Sequence, residues 1–292
     1  MRIIRYQEDA SFKLAALTDA DEIFSLEDSN DFISLVQSAE RDGISVSEKV
    51  KRIIDSSQAL KKEIHQLDLI VPLEAPEVWA AGVTYMRSKE ARNYEAADGD
   101  REGPTFYDKV YDADRPELFM KSTAARTIGP GGEVCLRSDS SWQVPEPELG
   151  LVLDRNGNIL GYTIGNDMSC RDIEGENPLY LPQAKIWRQS CSIGPAIRLA
   201  DTVEDPYDLQ ITCRIYRDGQ KVVDETASTG QLKRRFGDLV AYLAKDNVLF
   251  DGTVLLTGTC IVPPGQFTLE QGDRIEIDIT GIGTLTNTAV PA

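Results

Sequence analysis

The sequence predicts an α+β fold that is mainly β, on three observations. From Val71 onward the chain is a succession of short β-rich runs. Asn-Gly and Asp-Gly pairs separate many of them, as hairpin turns require. An amphipathic helical pattern lies ahead of them, before residue 70. The expected division is a small N-terminal α/β domain, 1-70, and a larger, mainly β domain, 71-292, that carries the candidate site residues taken up below.

In the first segment, Ile3–Gln7 and Phe12–Asp19 read as short strands. Ser45-Val46-Ser47-Glu48 reads as a capping box, with Ser45 at the N-cap. Val50, Ile53, Ile54, Leu60 and Ile64 follow at helical spacing, so a packing helix is expected to about Leu67. Strands are then expected in Glu77–Tyr85, Glu117–Ser122, Leu149–Asp154, Ile159–Ile164, Leu209–Glu225, Thr253–Thr259, Arg274–Thr280 and Gly283–Ala289. Asn156-Gly157, Asp218-Gly219 and Asp251-Gly252 supply turns, and Gly230 to Asn247 is the expected helix of this half. The charged stretch 86–110 reads equally as a solvated helix or loop and as a lid over a site.

Composition excludes several functions. The net charge of −17 repels phosphate backbones and anionic lipid, so neither nucleic acid nor a membrane is an expected partner. No window approaches the roughly 18 consecutive apolar residues of a membrane span. The N-terminus carries no apolar signal-peptide core, so a cytoplasmic location is expected. Five scattered cysteines without a C-x-x-C pair argue against a disulfide framework or a zinc site and suit a reducing compartment. Cys170 has no histidine near it in sequence and reads as a packing residue. The single histidine, His65, lies far from any candidate site, so acid–base chemistry must come from Lys, Glu, Asp or Tyr.

The run Pro145 to Asp167 reads as a β-hairpin with Asn156-Gly157 at its tip. A two-residue loop would pair Arg155 with Asn158 and, further along, Glu146 with Asp167. Side chains alternate along strands, so Glu146, Glu148 and Asp167 share a surface. Leu149, Leu151, Leu153, Leu160, Tyr162 and Ile164 form the other, core-facing surface. Gly150, Val152, Gly161, Thr163 and Gly165 lie on the carboxylate surface, and their small size is expected to leave room for a ligand. Three convergent carboxylates need a cation among them. All-oxygen ligation favours Mg²⁺, with Mn²⁺ or Ca²⁺ as alternatives, over Zn²⁺. The plain alternative is an exposed acidic strand.

These residues resemble the fumarylacetoacetate hydrolase superfamily. The Glu146/Glu148 pair with Asn166–Asp172 is similar to its metal signature, Leu255–Cys260 to its T-G-T turn, and Ala80–Tyr85 to its strand near the site. Ser88 stands where hydrolytic members carry a histidine, so the hydrolytic water has no evident activator. Arg115–Lys121, Arg137–Trp142, Pro145–Asp154, Glu176–Trp187 and Leu255–Pro263 resemble dehydratases of 2-keto-3-deoxy sugar acids within that superfamily.

The resemblance implies a mixed β-sandwich roll, a homodimer or homotetramer, and Mg²⁺-dependent conversion of 2-dehydro-3-deoxy-D-arabinonate to 2,5-dioxopentanoate in pentose catabolism. It implies Lys185 and Glu117 as the acid–base pair, in either order, with Lys185 alternatively staying charged to bind an enolate. It places Thr259 and Gly258 at the substrate carboxylate and Thr84 and Tyr85 along the pocket. Arg171 and Asp172 are expected to pair and fix the loop after Asp167. Two other functions compete: hydrolysis of a C–C bond in acylpyruvates, and binding of a sugar acid without catalysis.

Overall fold

The computed structural model describes residues 1–27, 29–96 and 106–292. Among the described residues an 11-stranded sheet forms the centre. Its main path runs Ile23–Ser25, Ser11–Leu17, Arg2–Glu8, Cys191–Leu199, Ile159–Asp167, Pro147–Leu153, Thr253–Thr259, Val78–Gly82 and Glu117–Ser122. A 5-stranded sheet runs Gln220–Ser228, Gln210–Arg217, Arg274–Ile279, Gly283–Pro291 and Glu133–Leu136. Pairing is mostly antiparallel, with parallel contacts such as Thr253–Thr259 on Val78–Gly82. The mainly β, mixed α/β architecture expected from the sequence is therefore present.

Two cores flank the large sheet. On one face Leu149, Leu151, Leu153, Tyr162 and Ile164 pack against Ile211, Ile215, Ile275 and Ile277 of the smaller sheet and against Phe236 and Leu239. On the other, Val152, Val254 and Leu256 pack against Ile3, Leu14 and Phe24 and against Phe32, Leu35 and Val50. Those last residues come from two helices, Phe32–Asp42 and Val46–Ser56. The first of these was not anticipated. Asp31 caps it by accepting from Ser34 N, and its buried positions Phe32, Leu35, Val36 and Ala39 follow helical spacing. The N-terminal strands continue the large sheet, with Ile3 opposite Ile197.

The hairpin register is as expected over most of its length: Glu148 faces Gly165, Leu151 faces Tyr162 and Val152 faces Gly161. The tip is not. Leu153 faces Ile159 across a bulge, and Asp154 N bonds Asn158 O in place of the expected Arg155–Asn158 pair. The Asp154 carboxylate accepts from Asn156 N and Asn158 N, both at 2.8 Å, which favours a three-residue loop with Gly157 at φ 80°. The bulge then restores the register.

The small residues of the carboxylate surface also differ from expectation. They admit the second core rather than a ligand. A Cβ on Gly165 would lie 2.3 Å from Leu256 Cδ2. One on Gly161 would lie 2.6 Å from Ile197 Cγ2 and 2.7 Å from the Arg198 carbonyl oxygen.

Both expected helices are shorter than their sequence patterns. The helix begun at Val46 ends at Ser56, where Ser56 and Ser57 hydroxyls take the carbonyls of Arg52 and Ile53. Leu60, Ile64 and Leu67 instead pack beside the first hairpin, against Ile4 and Tyr6. The later helix spans Phe236–Ala244. Residues before it are drawn out of helical geometry: Lys233 N bonds Thr84 O, and the Arg234 side chain takes the Val110 and Ala113 carbonyls. Residues 86–112 contribute helices Met86–Ala96 and Phe106–Asp112, and the part of the candidate lid at 97–105 lies outside the described residues.

If the glycine face is packed as described, Gly161→Ala destabilises the fold by about 1–3 kcal/mol. Urea denaturation should show a lower midpoint with an unchanged slope. An unchanged midpoint would mean that this face is loosely packed.

Candidate metal centre and active site

The hairpin's open end carries the three carboxylates. Asp167 N donates to Glu146 O at 3.0 Å, extending the ladder beyond the strand ends, and Glu148 sits opposite Thr259 on the neighbouring strand. One oxygen from each of Glu146, Glu148 and Asp167 lies within 4.8 Å of the others. All three residues are at most 3% exposed, so water screens their repulsion little.

Buried cations offset part of that charge. Lys185, at the end of the short helix Leu181–Lys185, donates to a Glu146 oxygen, to Asp167 Oδ2 at 3.3 Å and to Ser169 Oγ at 2.6 Å. Lys121 Nζ lies 2.6 Å from the other Asp167 oxygen, and it donates to the Met168 and Lys185 carbonyls. Arg171 contacts Glu146 Oε1 at 2.6 Å, and Glu174 connects Arg171 to Arg92. Burial disfavours an ionised Glu146, yet Lys185 and Arg171 hold its carboxyl well below the usual range. Burial likewise opposes the charge of Lys185, but Asp167, Glu146 and Glu174 outweigh it and keep the ammonium protonated.

Glu148 is the exception. It has no salt bridge among the described residues, and the Gly258 N–H donates to its Oε2 at 2.6 Å. Burial first, then the charges of Asp167 and Glu146, push its carboxyl well above the usual range. A hard divalent cation removes this conflict: the donors are all oxygen, they converge, and one lacks a counter-charge. The residues present therefore fit such an ion.

Of the other expected site residues, Glu117 lies at the start of its strand, with Oε2 buried and without a hydrogen-bond partner among the described residues. Burial raises its pKa, with Arg92, Glu174, Lys185 and Glu146 as the charges it feels. Glu117, Glu174, Arg92 and Tyr107 line a cavity of about 540 Å³. Tyr85 is buried, and its hydroxyl has no hydrogen-bond partner among the described residues. Burial, Cys260 and Glu148 raise its pKa well above the ordinary value. Thr84 is fully buried and its hydroxyl donates to Thr257 O at 2.7 Å. Thr259 Oγ1 donates to Ile261 O at 2.9 Å, so its hydroxyl proton is engaged within the T-G-T turn. Gly258 takes φ 97°, and a Cβ there would lie 1.9 Å from Thr84 Oγ1. The turn thus presents a backbone N–H to Glu148.

Arg171 and Asp172 do not pair with each other. Arg171 turns to Glu146 and Glu174, whereas Asp172 accepts from Ser140 Oγ and Ser141 N, both at 2.6 Å. Cys170 is buried, and burial pushes its thiol up to about 11, which suits a packing residue. His65 is exposed beside Glu63. Lys121, Arg92 and Glu174 were missed. Lys121 had a signal: it follows Glu117 and Phe119 at strand spacing inside an otherwise apolar run.

Residues 78–290 match the family described as fumarylacetoacetate (FAA) hydrolase C-terminal. A protein of Haloferax volcanii, named probable 2-keto-3-deoxyxylonate dehydratase, is 50% identical over 217 residues, covering 74% of this chain and 73% of its own. The 2-dehydro-3-deoxy-D-arabinonate dehydratase of Saccharolobus solfataricus is 45% identical over 233 residues, 80% of this chain and 78% of its own. A solved 2-keto-3-deoxy-D-arabinonate dehydratase, complexed with magnesium and 2,5-dioxopentanoate, superposes with a TM-score of 0.86 at 35% identity, covering 100% of this chain and 99% of that one. Fold, carboxylate cluster and these similarities together place the chain in the fumarylacetoacetate hydrolase family.

Proposed function

We propose that this chain is a divalent-metal-dependent hydro-lyase that converts 2-dehydro-3-deoxy-D-arabinonate to 2,5-dioxopentanoate and water. The observation that carries the reading is the buried carboxylate trio with an ammonium seated on it and a carboxyl of raised pKa nearby. The dehydratase relatives at 45% and 50% identity supply the substrate class.

Glu146, Glu148 and Asp167 would hold a divalent cation, which would supply a Lewis acid for the 2-keto group and offset the charge that keeps Lys185 protonated. Lys185, once neutral, takes the C3 proton. That electron pair forms the C3–C4 double bond as the C4 hydroxyl leaves. Glu117, whose buried carboxyl keeps its proton to higher pH than usual, protonates the hydroxyl so that water departs. Loss of a C5 proton and its return at C3 then moves the double bond to C4–C5, giving an enol that becomes the C5 aldehyde. No hydrolytic water is consumed, in keeping with Ser88 at the position of the hydrolases' histidine. Tyr85, Thr84, Gly258 and Thr259 shape the pocket: Tyr85 offers its unpaired hydroxyl, and the other three hold the turn that orients Glu148.

We further propose that 1-70 is a supporting unit and 71-292 the catalytic one, since every assigned site residue falls in the second. A homodimer or homotetramer in the cytoplasm serving pentose catabolism completes the reading. The exposed apolar side chains of Val248 and Phe250 are consistent with subunit contact, and no helix among the described residues is long and apolar enough to cross a membrane.

Mass spectrometry of the reaction is the test. The product should weigh one water less than the 2-keto-3-deoxy acid, whereas a gain of one water would mean hydrolysis and no change would mean binding alone. Glu148→Ala should lose turnover together with the rise in Tm that Mg²⁺ gives the wild type. Lys185→Met should keep that rise while kcat falls by about 10²–10⁴-fold. Full turnover by Glu148→Ala in chelator would refute the metal's part.

A further inference from the structure

The strands Val78–Gly82 and Glu117–Ser122 run antiparallel, and Gly82 is the register partner of Glu117. A Cβ on Gly82 would lie 2.1 Å from Glu117 Oε2 and 2.5 Å from Glu117 Cδ. The backbone gives no other reason for glycine here, because Gly82 is not among the residues with positive φ. Glu117 Oε2 is buried and accepts no hydrogen bond, so among the described residues no donor holds that oxygen in place. What locates it is the bare face of Gly82.

We propose that Gly82 is a positioning residue for Glu117: its missing side chain is the recess in which the carboxyl group lies, beside the cavity shared with Arg92, Tyr107 and Glu174. This rests on the reading of Glu117 as the proton donor to the leaving hydroxyl. The three heavy atoms nearest a methyl group at position 82 all belong to the far end of the Glu117 side chain, so relief comes from displacing the carboxyl. A displacement of this kind is felt strongly in proton transfer, which depends on hydrogen-bond reach.

A double-mutant cycle tests the assignment, using wild type, Gly82→Ala, Glu117→Ala and the double variant. For Gly82→Ala, kcat should fall on the order of 10²-fold, with KM and the Mg²⁺-induced shift in Tm unchanged. The double variant should be no slower than Glu117→Ala alone. Wild-type kcat in Gly82→Ala, or losses that multiply in the double variant, would overturn the proposal. Wild-type kcat in Glu117→Ala would instead overturn the role of Glu117 itself. Should Gly82→Ala lose its cooperative melt, a melt restored in the double variant supports the recess, and one not restored contradicts it.

Discussion

Holding three carboxylates side by side out of water is the constraint to which the centre of this molecule answers. Their mutual repulsion is large in a poorly screened interior, and removing a partner from a buried charge is costly. The protein meets this with opposed charges that are buried as deeply: Lys185 on Glu146 and Asp167, Lys121 on Asp167, Arg171 on Glu146, and Glu174 between Arg171 and Arg92. Among the described residues Glu148 receives only a backbone N–H. That asymmetry fits the cluster to a cation, which a closed ion-pair network would not need.

Packing explains why the cluster stays in place. The hairpin that bears it has core on both faces, and the glycines at 161 and 165 let neighbouring strands approach closely. Thr84, Gly258 and Glu148 form a chain of contacts from the Thr253–Thr259 strand to the carboxylate cluster. Lys121 plays the same part from the Glu117–Ser122 strand, joining Asp167 to the backbone that carries Lys185. Rigid strands therefore aim the ligands, whereas the helices Met86–Ala96 and Phe106–Asp112 bring Arg92 and Tyr107 to the cavity beside Glu117.

Much of this was legible in the residues, for reasons that are themselves physical. Alternation of Leu149, Leu151 and Leu153 against Tyr162 and Ile164 pointed to the register, since a slip of one residue would turn the whole set away from the smaller sheet. The turn was misread because the Asp154 carboxylate, a side-chain effect, selects a different loop and a bulge hides the change. The glycine surface was misread because small residues make room equally for a ligand or for another strand. Lys185 and Glu117 came to notice only through family resemblance: nothing in local spacing brings residue 185 to residues 146 and 167. The Arg92–Glu174 pair joins a helix in a charged stretch to a distant short helix, a contact that only the tertiary fold creates.

The most direct measurement is diffraction from crystals soaked in Mn²⁺, which scatters anomalously where Mg²⁺ does not. One strong anomalous peak per chain is expected, within bonding distance of an oxygen from each of Glu146, Glu148 and Asp167, with the Lys185 ammonium displaced from its seat between two of them. A peak elsewhere, or an empty cluster with Lys185 still seated on Glu146 and Asp167, would contradict it.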